Sequence, residues 1–280
     1  MKVFYHNDLD GRCAGAIVYK YLMNCEDDGT GFEYIEMDYN FPVPIEKIRP
    51  NEKIIIIDFS FKPEIMEQVL KITSDIIWID HHKTNMYDYS VILEGKRDVN
   101  FSGCELTWKY FFSNKEIPKA VLLIGDRDTW KWKYGKNTAN FTIGMAMLSH
   151  DPKDSIWEKL LNPIDDLVLA QIEDMGEKGT LFRDQFCKDY TKSYGFETEF
   201  EGHKAFACNL YDFGSLAFGD RIDKYSLLLS FVFDGSKWQI GLYSKTIDVG
   251  EIAKRHGGGG HTGASGFLAD ELPFKKNERR

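Results

Sequence analysis

The chain lacks a cysteine-pair motif, a long apolar run and an excess of positive charge. Its five cysteines (Cys13, Cys25, Cys104, Cys187, Cys208) are scattered and odd in number, with no CxxC or zinc-like spacing. That argues against a disulfide framework or a structural zinc site, and for reduced thiols in a reducing compartment. No apolar run approaches the roughly 20 residues a membrane span requires, and the first residues read as a strand rather than a signal segment. The expectation is a soluble, cytoplasmic protein without a membrane partner. Lys and Arg number 35 against 44 Asp and Glu, a net charge of −9. A long passive nucleic-acid-binding face is therefore disfavoured, whereas a short anionic substrate neutralised locally by metal is compatible. Neither a Walker GxxxxGK motif nor a dinucleotide-binding GxGxxG after a strand is present, and there is no internal repeat or low-complexity stretch.

What is present is enough apolar residue, 43% of 280 with 14% aromatic, to bury a sizeable core. The first half alternates strand-like and helix-like segments. KVFYH, FEYIEMD, KIIIIDF and DIIWIDH read as strands, the last two buried on both faces. Residues 11–24 and the segment opening at Pro63 read as helices. This order implies βαβ units and a parallel sheet. Residues 104–148 read as mostly helical, and a long charged helix is expected from Pro163 to about Tyr194. After it HKAFACNL, YSLLLSFVF and WQIGLYS read as strands, with Asp234-Gly235 as a hairpin turn. DVGEIAKRH reads as a short helix, and the tail KKNERR as a disordered end. The expected organisation is α/β: a parallel-sheet domain at 1–150, a helical connector at 151–195, and a smaller α/β domain at 196–280.

Carboxylates and histidines gather where apolar runs end, the place where an open α/β sheet collects its active-site groups. His6, Asp8 and Asp10 close the first run, with Gly11 permitting a tight turn into the helix. They are either a ligand set or a polar loop with Asp10 as helix N-cap. Asp58 ends the isoleucine run, as a cap or as a carboxylate bridging two ions. Asp80-His81-His82 ends IIWIDHH. Asp126 and Asp128 flank Arg127 in AVLLIGDRD, one a ligand and the other a partner of Arg127. Trp130 and Trp132 read as packing rather than as base-stacking platforms. Converging oxygen and imidazole donors suggest two hard divalent ions. Gly257–Gly260 with His261 forms the other dense motif. Four glycines are costly to order and fit a backbone that approaches a phosphate closely, or a flexible linker.

In the order HNDLDG, Asp58, DHH, GDRD and GGGGHTGASG, these segments resemble the DHH phosphoesterase family, in its branch with a DHHA1 domain. The last segment resembles that branch's GGGH-xx-ASG signature at Gly258, Gly259, Gly260, His261, Ala264, Ser265 and Gly266. The resemblance implies two domains, a cleft between them and two Mn²⁺ ions, with Mg²⁺ or Co²⁺ as substitutes. It assigns the metals to His6, Asp8, Asp10, Asp58, His81 and Asp126, with Asp58 bridging. Asp126 is preferred to Asp128 because it lies directly after the apolar run and Gly125. His82 would face the scissile phosphate and Asp80 would orient a histidine. Gly258, Gly259, Gly260, His261 and Ser265 would bind the substrate's phosphate or terminal nucleotide. Lys245, Lys254, Arg255 and His256 lie near the glycine motif and are either a site for a second phosphate or a solvated helix face.

Within that branch the chain looks most like the nanoRNases, oligoribonucleases of the NrnB and NrnA type. The resemblance implies hydrolysis of very short RNA to mononucleotides by water activated between two metal ions. The alternative is a phosphatase or phosphodiesterase for small nucleotides, such as 3′-phosphoadenosine 5′-phosphate or linear and cyclic dinucleotides. A homodimer is compatible with either.

Overall fold

The isoleucine run Ile54–Ile57 shows how the first sheet is built. Ile55 and Ile57 enter one hydrophobic core while Ile54 and Ile56 enter another, so successive side chains leave opposite faces and none meets water. In a computed structural model of the chain, which describes residues 1–25, 31–39, 41–83, 89–162, 166–211 and 213–277, this run is strand β3. It lies in a five-stranded parallel sheet with β1 (Lys2–His6), β2 (Glu33–Met37), β4 (Ile76–Asp80) and β5 (Glu94–Arg97), in the order β2-β1-β3-β4-β5. Val3, Tyr5, Ile77 and Ile79 face the same core as Ile55, and Phe4, Ile76 and Trp78 face the other. Each fully buried isoleucine contributes roughly 1.5–3 kcal/mol relative to exposure.

Helices cover both faces. One core holds α1 (Leu9–Asn24), α3 (Gly103–Phe111), α4 (Lys119–Asp128), α5 (Lys136–Ala146) and α6 (Ile156–Leu160), through Ile17, Leu106, Val121, Phe141 and Trp157. The other holds α2 (Pro63–Leu70), with Met66 and Val69 inward and Pro63 in its first turn. The expected strands and helices of this half are present. β5 was not anticipated, because EGKR is short and polar.

The chain divides into two compact units, Met1–Lys178 and Gly179–Arg280. The boundary falls inside α7 (Asp166–Tyr194), the long helix expected as a connector. The second unit is built on a six-stranded mixed sheet. Its order is β10 (Gly259–His261), β11 (Ala264–Ala269), β9 (Trp238–Tyr243), β8 (Leu227–Phe233), β7 (His203–Cys208) and β6 (Phe196–Phe200). α8 (Val249–Arg255) packs Val249, Ile252 and Ala253 on one face against Leu229, Ile240 and Phe267. Cys187 of α7 and the 3₁₀ segment Gly214–Asp223 cover the other, around Phe206 and Leu228. β8 and β9 join through the Asp234 turn, where Gly235 has φ 99° and the Asp234 carboxylate accepts from the amides of Ser236 and Lys237.

The tail departs from expectation. Asn277 N donates to Glu197 O, and Lys275 O accepts from the Thr198 hydroxyl, so Lys275–Asn277 is held against β6. The last three tail residues lie outside the described residues. No helix among the described residues is long and apolar enough to cross a membrane.

Candidate metal centre

β1, β3 and β4 lie side by side, and the side chains singled out in the first three motifs sit at or just past their C-terminal ends. The chain order reverses between β1 and β3, where open parallel sheets leave a crevice for ligands. His6 is the last residue of β1. Asp8 is the N-cap of α1: its Oδ1 accepts from Gly11 N at 2.9 Å, and its Oδ2 lies 3.0 Å from His6 Nδ1. The capping task considered for Asp10 therefore belongs to Asp8.

Asp10 is buried and reaches across to α3. Its Oδ2 accepts from Gly103 N at 2.6 Å and its Oδ1 from Cys104 N at 2.9 Å, a placement the helix dipole favours. Ser102 and Glu105 open α3 with a capping box. Gly103 was missed in the sequence reading. A Cβ there would stand 2.5 Å from Asp58, so α3 can approach the cluster only through a glycine. The Ser-x-x-Glu pattern beginning at Ser102 was the signal that a helix starts here; the contact with Asp58 had none.

Asp58 is fully buried and has left-handed backbone, φ 53°, a strained state for a non-glycine residue and one that concentrates at functional sites. Its Oδ2 lies 3.8 Å from His6 Nδ1 and its Oδ1 lies 3.2 Å from His81 Nε2. His81 Nε2 is also 3.4 Å from Asp128 Oδ2 and 3.8 Å from Asp10 Oδ2. Three overlapping donor groups result: His6, Asp8 and Asp58; Asp58, His81 and His82; and Asp10, His81 and Asp128. Asp58 offers a different oxygen on each side.

The choice between Asp126 and Asp128 is corrected by the helix that carries them. On α4, residues two apart point to nearly opposite sides. Asp128 turns toward His81. Asp126 turns away, and its carboxylate accepts from Lys133 N at 2.7 Å, Tyr134 N at 3.1 Å and the Thr138 hydroxyl. These bonds overcome desolvation and hold the Asp126 carboxyl below the usual range, so its acceptor capacity is taken up by the loop after α4.

Asp80 and His82 form a separate pair. Asp80 is fully buried, and its Oδ1 accepts from His81 N at 2.7 Å and His82 N at 3.2 Å, and bonds His82 Nδ1 at 2.8 Å. The Ser60 hydroxyl takes Oδ2. Burial opposes both charges. The bonds from His82 and Ser60 nonetheless lower the Asp80 pKa, and the Asp80 bond raises that of His82.

The remaining electrostatics show a deficit of positive charge. Burial pushes the Asp58 carboxyl well above its usual value, and Asp10, Asp8, Asp128 and Asp80 push the same way. Burial with Asp10 and Asp8 raises Asp128 to about 8. Burial lowers His81 despite its carboxylate neighbours. Asp8, by contrast, falls to about 2, because His6 and the Gly11 amide outweigh its desolvation. Among the described residues, eight buried side-chain N or O atoms lack a hydrogen-bond partner. Five of them are here: His6 Nδ1, both Asp58 oxygens, His81 Nε2 and Asp128 Oδ2, the ring nitrogens lying close to carboxylates (His6 Nδ1 3.0 Å from Asp8 Oδ2) but off hydrogen-bond geometry. Each such atom costs roughly 1–3 kcal/mol if left unpaired, and natural folds rarely tolerate a cluster of them. An oxygen- and imidazole-rich set with five free donors fits hard divalent cations.

The other expected residues all lie in the second unit. Gly258–His261 is no flexible linker: β10 pairs with β11, Gly260 against Ser265. Gly260 has φ 139°, and a Cβ there would stand 2.6 Å from Ser265 Cα. The Ser265 hydroxyl donates to Val249 O at 2.6 Å. Lys245 pairs with Asp223 at 2.6 Å and Arg255 with Glu201 at 2.9 Å. His261 and Gly259 are exposed.

Residues 1–124 match the DHH family, N-terminal domain. An uncharacterized protein of Acanthamoeba polyphaga mimivirus is 28% identical over 254 residues, 83% of this chain and 57% of the viral protein. The chain thus spans little more than half the length of that relative. Among solved structures, the DHH domain of a member of a ribosomal-protein family gives a TM-score of 0.57 at 12% identity, covering 95% of this chain and 82% of that one. Exonuclease RecJ bound to manganese gives 0.52 at 13%, covering 96% and 86%. RecJ of Thermus thermophilus in complex with Mn²⁺ gives 0.51 at 14%, covering 96% of this chain and 49% of that one. These structures share the fold.

Proposed function

We propose, from the premise that residues 1–124 form a DHH-family N-terminal domain, that this chain is a metal-dependent phosphoesterase that hydrolyses very short oligoribonucleotides to mononucleotides. The observation that carries the phosphoesterase reading is the convergence of unpaired buried donors around Asp58. His6, Asp8 and Asp58 would hold one divalent ion, and Asp58, His81, Asp10 and Asp128 a second. Such ions, manganese in the RecJ structures, supply Lewis acidity toward a phosphoryl group and acidify water.

The protein's own groups do the rest. Asp58, shared between the two donor groups, fixes their spacing. Asp80 holds His82 through Nδ1, which leaves Nε2 for the substrate. Burial disfavours charge on His82, but the Asp80 bond outweighs it and raises the pKa, favouring a protonated ring suited to a phosphoryl oxygen or a departing alkoxide. Asp10, braced by the amides of Gly103 and Cys104, ties α3 to the cluster. The short-RNA reading draws support from the nanoRNase-like motifs and from the acidic chain, which disfavours a long polyanion.

A turnover panel with purified protein and manganese tests both levels. It compares a dinucleotide, a pentanucleotide, a long single strand, 3′-phosphoadenosine 5′-phosphate and a cyclic dinucleotide. The expected result is fastest turnover of the two shortest linear RNAs. Equal turnover of the long strand sinks the short-substrate reading, and no turnover of any member sinks the phosphoesterase reading.

A further inference from the structure

The turn after α4 is strained twice within three residues. Trp130 and Trp132 both have left-handed backbone, φ 54° and 52°, an outlier conformation for bulky side chains. Asp126 makes four of the bonds that hold that turn, beside backbone bonds such as Trp130 N to Arg127 O. Asp126 accepts from the amides of Lys133 and Tyr134 and the Thr138 hydroxyl through its carboxylate, and from Lys131 N at 3.1 Å through its carbonyl. The anchor thus lies two residues before Asp128, and Trp130 two residues after it.

What the strain achieves is exposure. Trp78, Trp108 and Trp157 are buried, whereas Trp130 is 59% exposed. Its ring is braced from behind: the Arg127 guanidinium carbon lies 4.6 Å from its centre, and Trp132 meets it edge to face at 5.7 Å. A tryptophan serving the core would not be held in left-handed backbone only to stand mostly in water. A rigid, cation-backed indole face, two residues along the chain from Asp128, is suited to stacking a nucleobase.

We infer that Trp130 is a base-stacking platform, on which the base of the substrate nucleotide lies while its phosphate is held at the Asp58 cluster. The inference rests on the phosphoesterase reading and adds to it the substrate class, a nucleotide rather than a phosphoester at large. Stacking tolerates any base, so it selects for a base without selecting its sequence. Asp126 is then a positioning residue that acts through the turn.

The test uses the full chain with Trp130→Leu, which keeps an apolar side chain but no π-face, and Trp130→Phe, which restores one. Each protein is assayed with manganese on a dinucleotide and on the same phosphodiester lacking both bases. Trp130→Leu is expected to lower the ratio of kcat/KM for dinucleotide over base-free diester by roughly 5- to 100-fold. The loss should sit mainly in KM, and Trp130→Phe should recover most of it. Equal losses on both substrates, or an unchanged ratio, overturn the inference. A second arm needs no turnover: adenosine 5′-monophosphate should quench tryptophan fluorescence saturably in the unaltered protein and not in Trp130→Leu. If the unaltered protein cleaves neither diester, the functional reading falls, and the quenching arm still decides the stacking; quenching that is absent, or that survives in Trp130→Leu, overturns it.

Discussion

The two units treat their polar side chains in opposite ways. Around Asp58, five buried donor atoms lack a hydrogen-bond partner, and Asp58 and Asp128 are pushed toward neutrality. Around the glycine-rich hairpin, Lys245, Arg255 and Ser265 are each occupied by Asp223, Glu201 and Val249 O. Both regions are dense in motif residues, so the sequence alone makes them look equally functional. The structure separates them by satisfaction. An unsatisfied buried cluster is a standing energetic debt that a bound cation or protonation relieves, whereas a satisfied one is stable as it stands and yields to a ligand only by exchanging partners.

The largest expected effect breaks the unsatisfied side. Asp58→Ala should reduce manganese-dependent hydrolysis on the order of 10³-fold or more, because a shared carboxylate supplies several kcal/mol of charge stabilisation to two ions. Circular dichroism should show a folded protein, since the removed group has no hydrogen-bond partner to orphan. Full activity in that variant would remove the assigned centre. The next effect divides the two aspartates of α4. Asp128→Asn should weaken metal binding by at least about 10- to 100-fold in a calorimetric titration. Asp126→Asn should keep the metal stoichiometry and instead cost about 1–3 kcal/mol of folding stability in urea melts, because Asp126 anchors the turn after α4. The opposite pattern would restore Asp126 as the ligand.

That pair marks where sequence reasoning stops. His6, Asp58 and Asp80-His81-His82 could be placed at strand ends because short apolar runs rich in β-branched and aromatic residues, too short for a buried helix, read as buried strands. Their convergence then follows from sheet topology. Asp126 was preferred because it comes first after an apolar run, a linear argument that fails on a helix, where direction turns by about 100° per residue. The contact of Asp10 with Gly103 spans 93 residues and leaves no local trace. β6 was missed although FETEF alternates, because it is short and carries two exposed acids at the edge of its sheet. The left-handed state of Trp130 is invisible for a different reason: the residue type argues against it, and the turn is held by bonds to Asp126 and by backbone bonds such as Trp130 N to Arg127 O.

Acidity sharpens the comparison further. Asp58 and Asp128 have folded-state pKa values raised above their unfolded values, Asp128 to about 8. Folding of the metal-free protein is therefore penalised above those values, and the penalty fades as pH falls toward the unfolded carboxylate pKa near about 4. In excess chelator the protein should be more stable at pH 5.5 than at pH 8, by about 1–3 kcal/mol. Manganese should reverse the trend, since binding requires the deprotonated carboxylates and gains strength as pH rises. A chelated protein whose stability rises between pH 5.5 and 8 would show that these carboxylates are not coupled as the geometry implies.

The smallest expected effect lies on the satisfied side. Lys245 and Arg255 are exposed and already paired, and a substrate phosphate would have to replace Asp223 or Glu201 rather than fill a gap. Exchanging one exposed ion pair for another changes free energy little, so Lys245→Ala and Arg255→Ala should each alter kcat/KM on a dinucleotide by no more than about twofold. Arg255 is the more demanding case, because Glu201 also accepts from His256 at 2.9 Å and retains a partner when the guanidinium is lost. Should Arg255→Ala raise KM tenfold with kcat unchanged, the pair with Glu201 is a resting arrangement that substrate displaces. Satisfaction in the free protein would then no longer separate the two units, and the glycine-rich hairpin would regain its place in substrate binding.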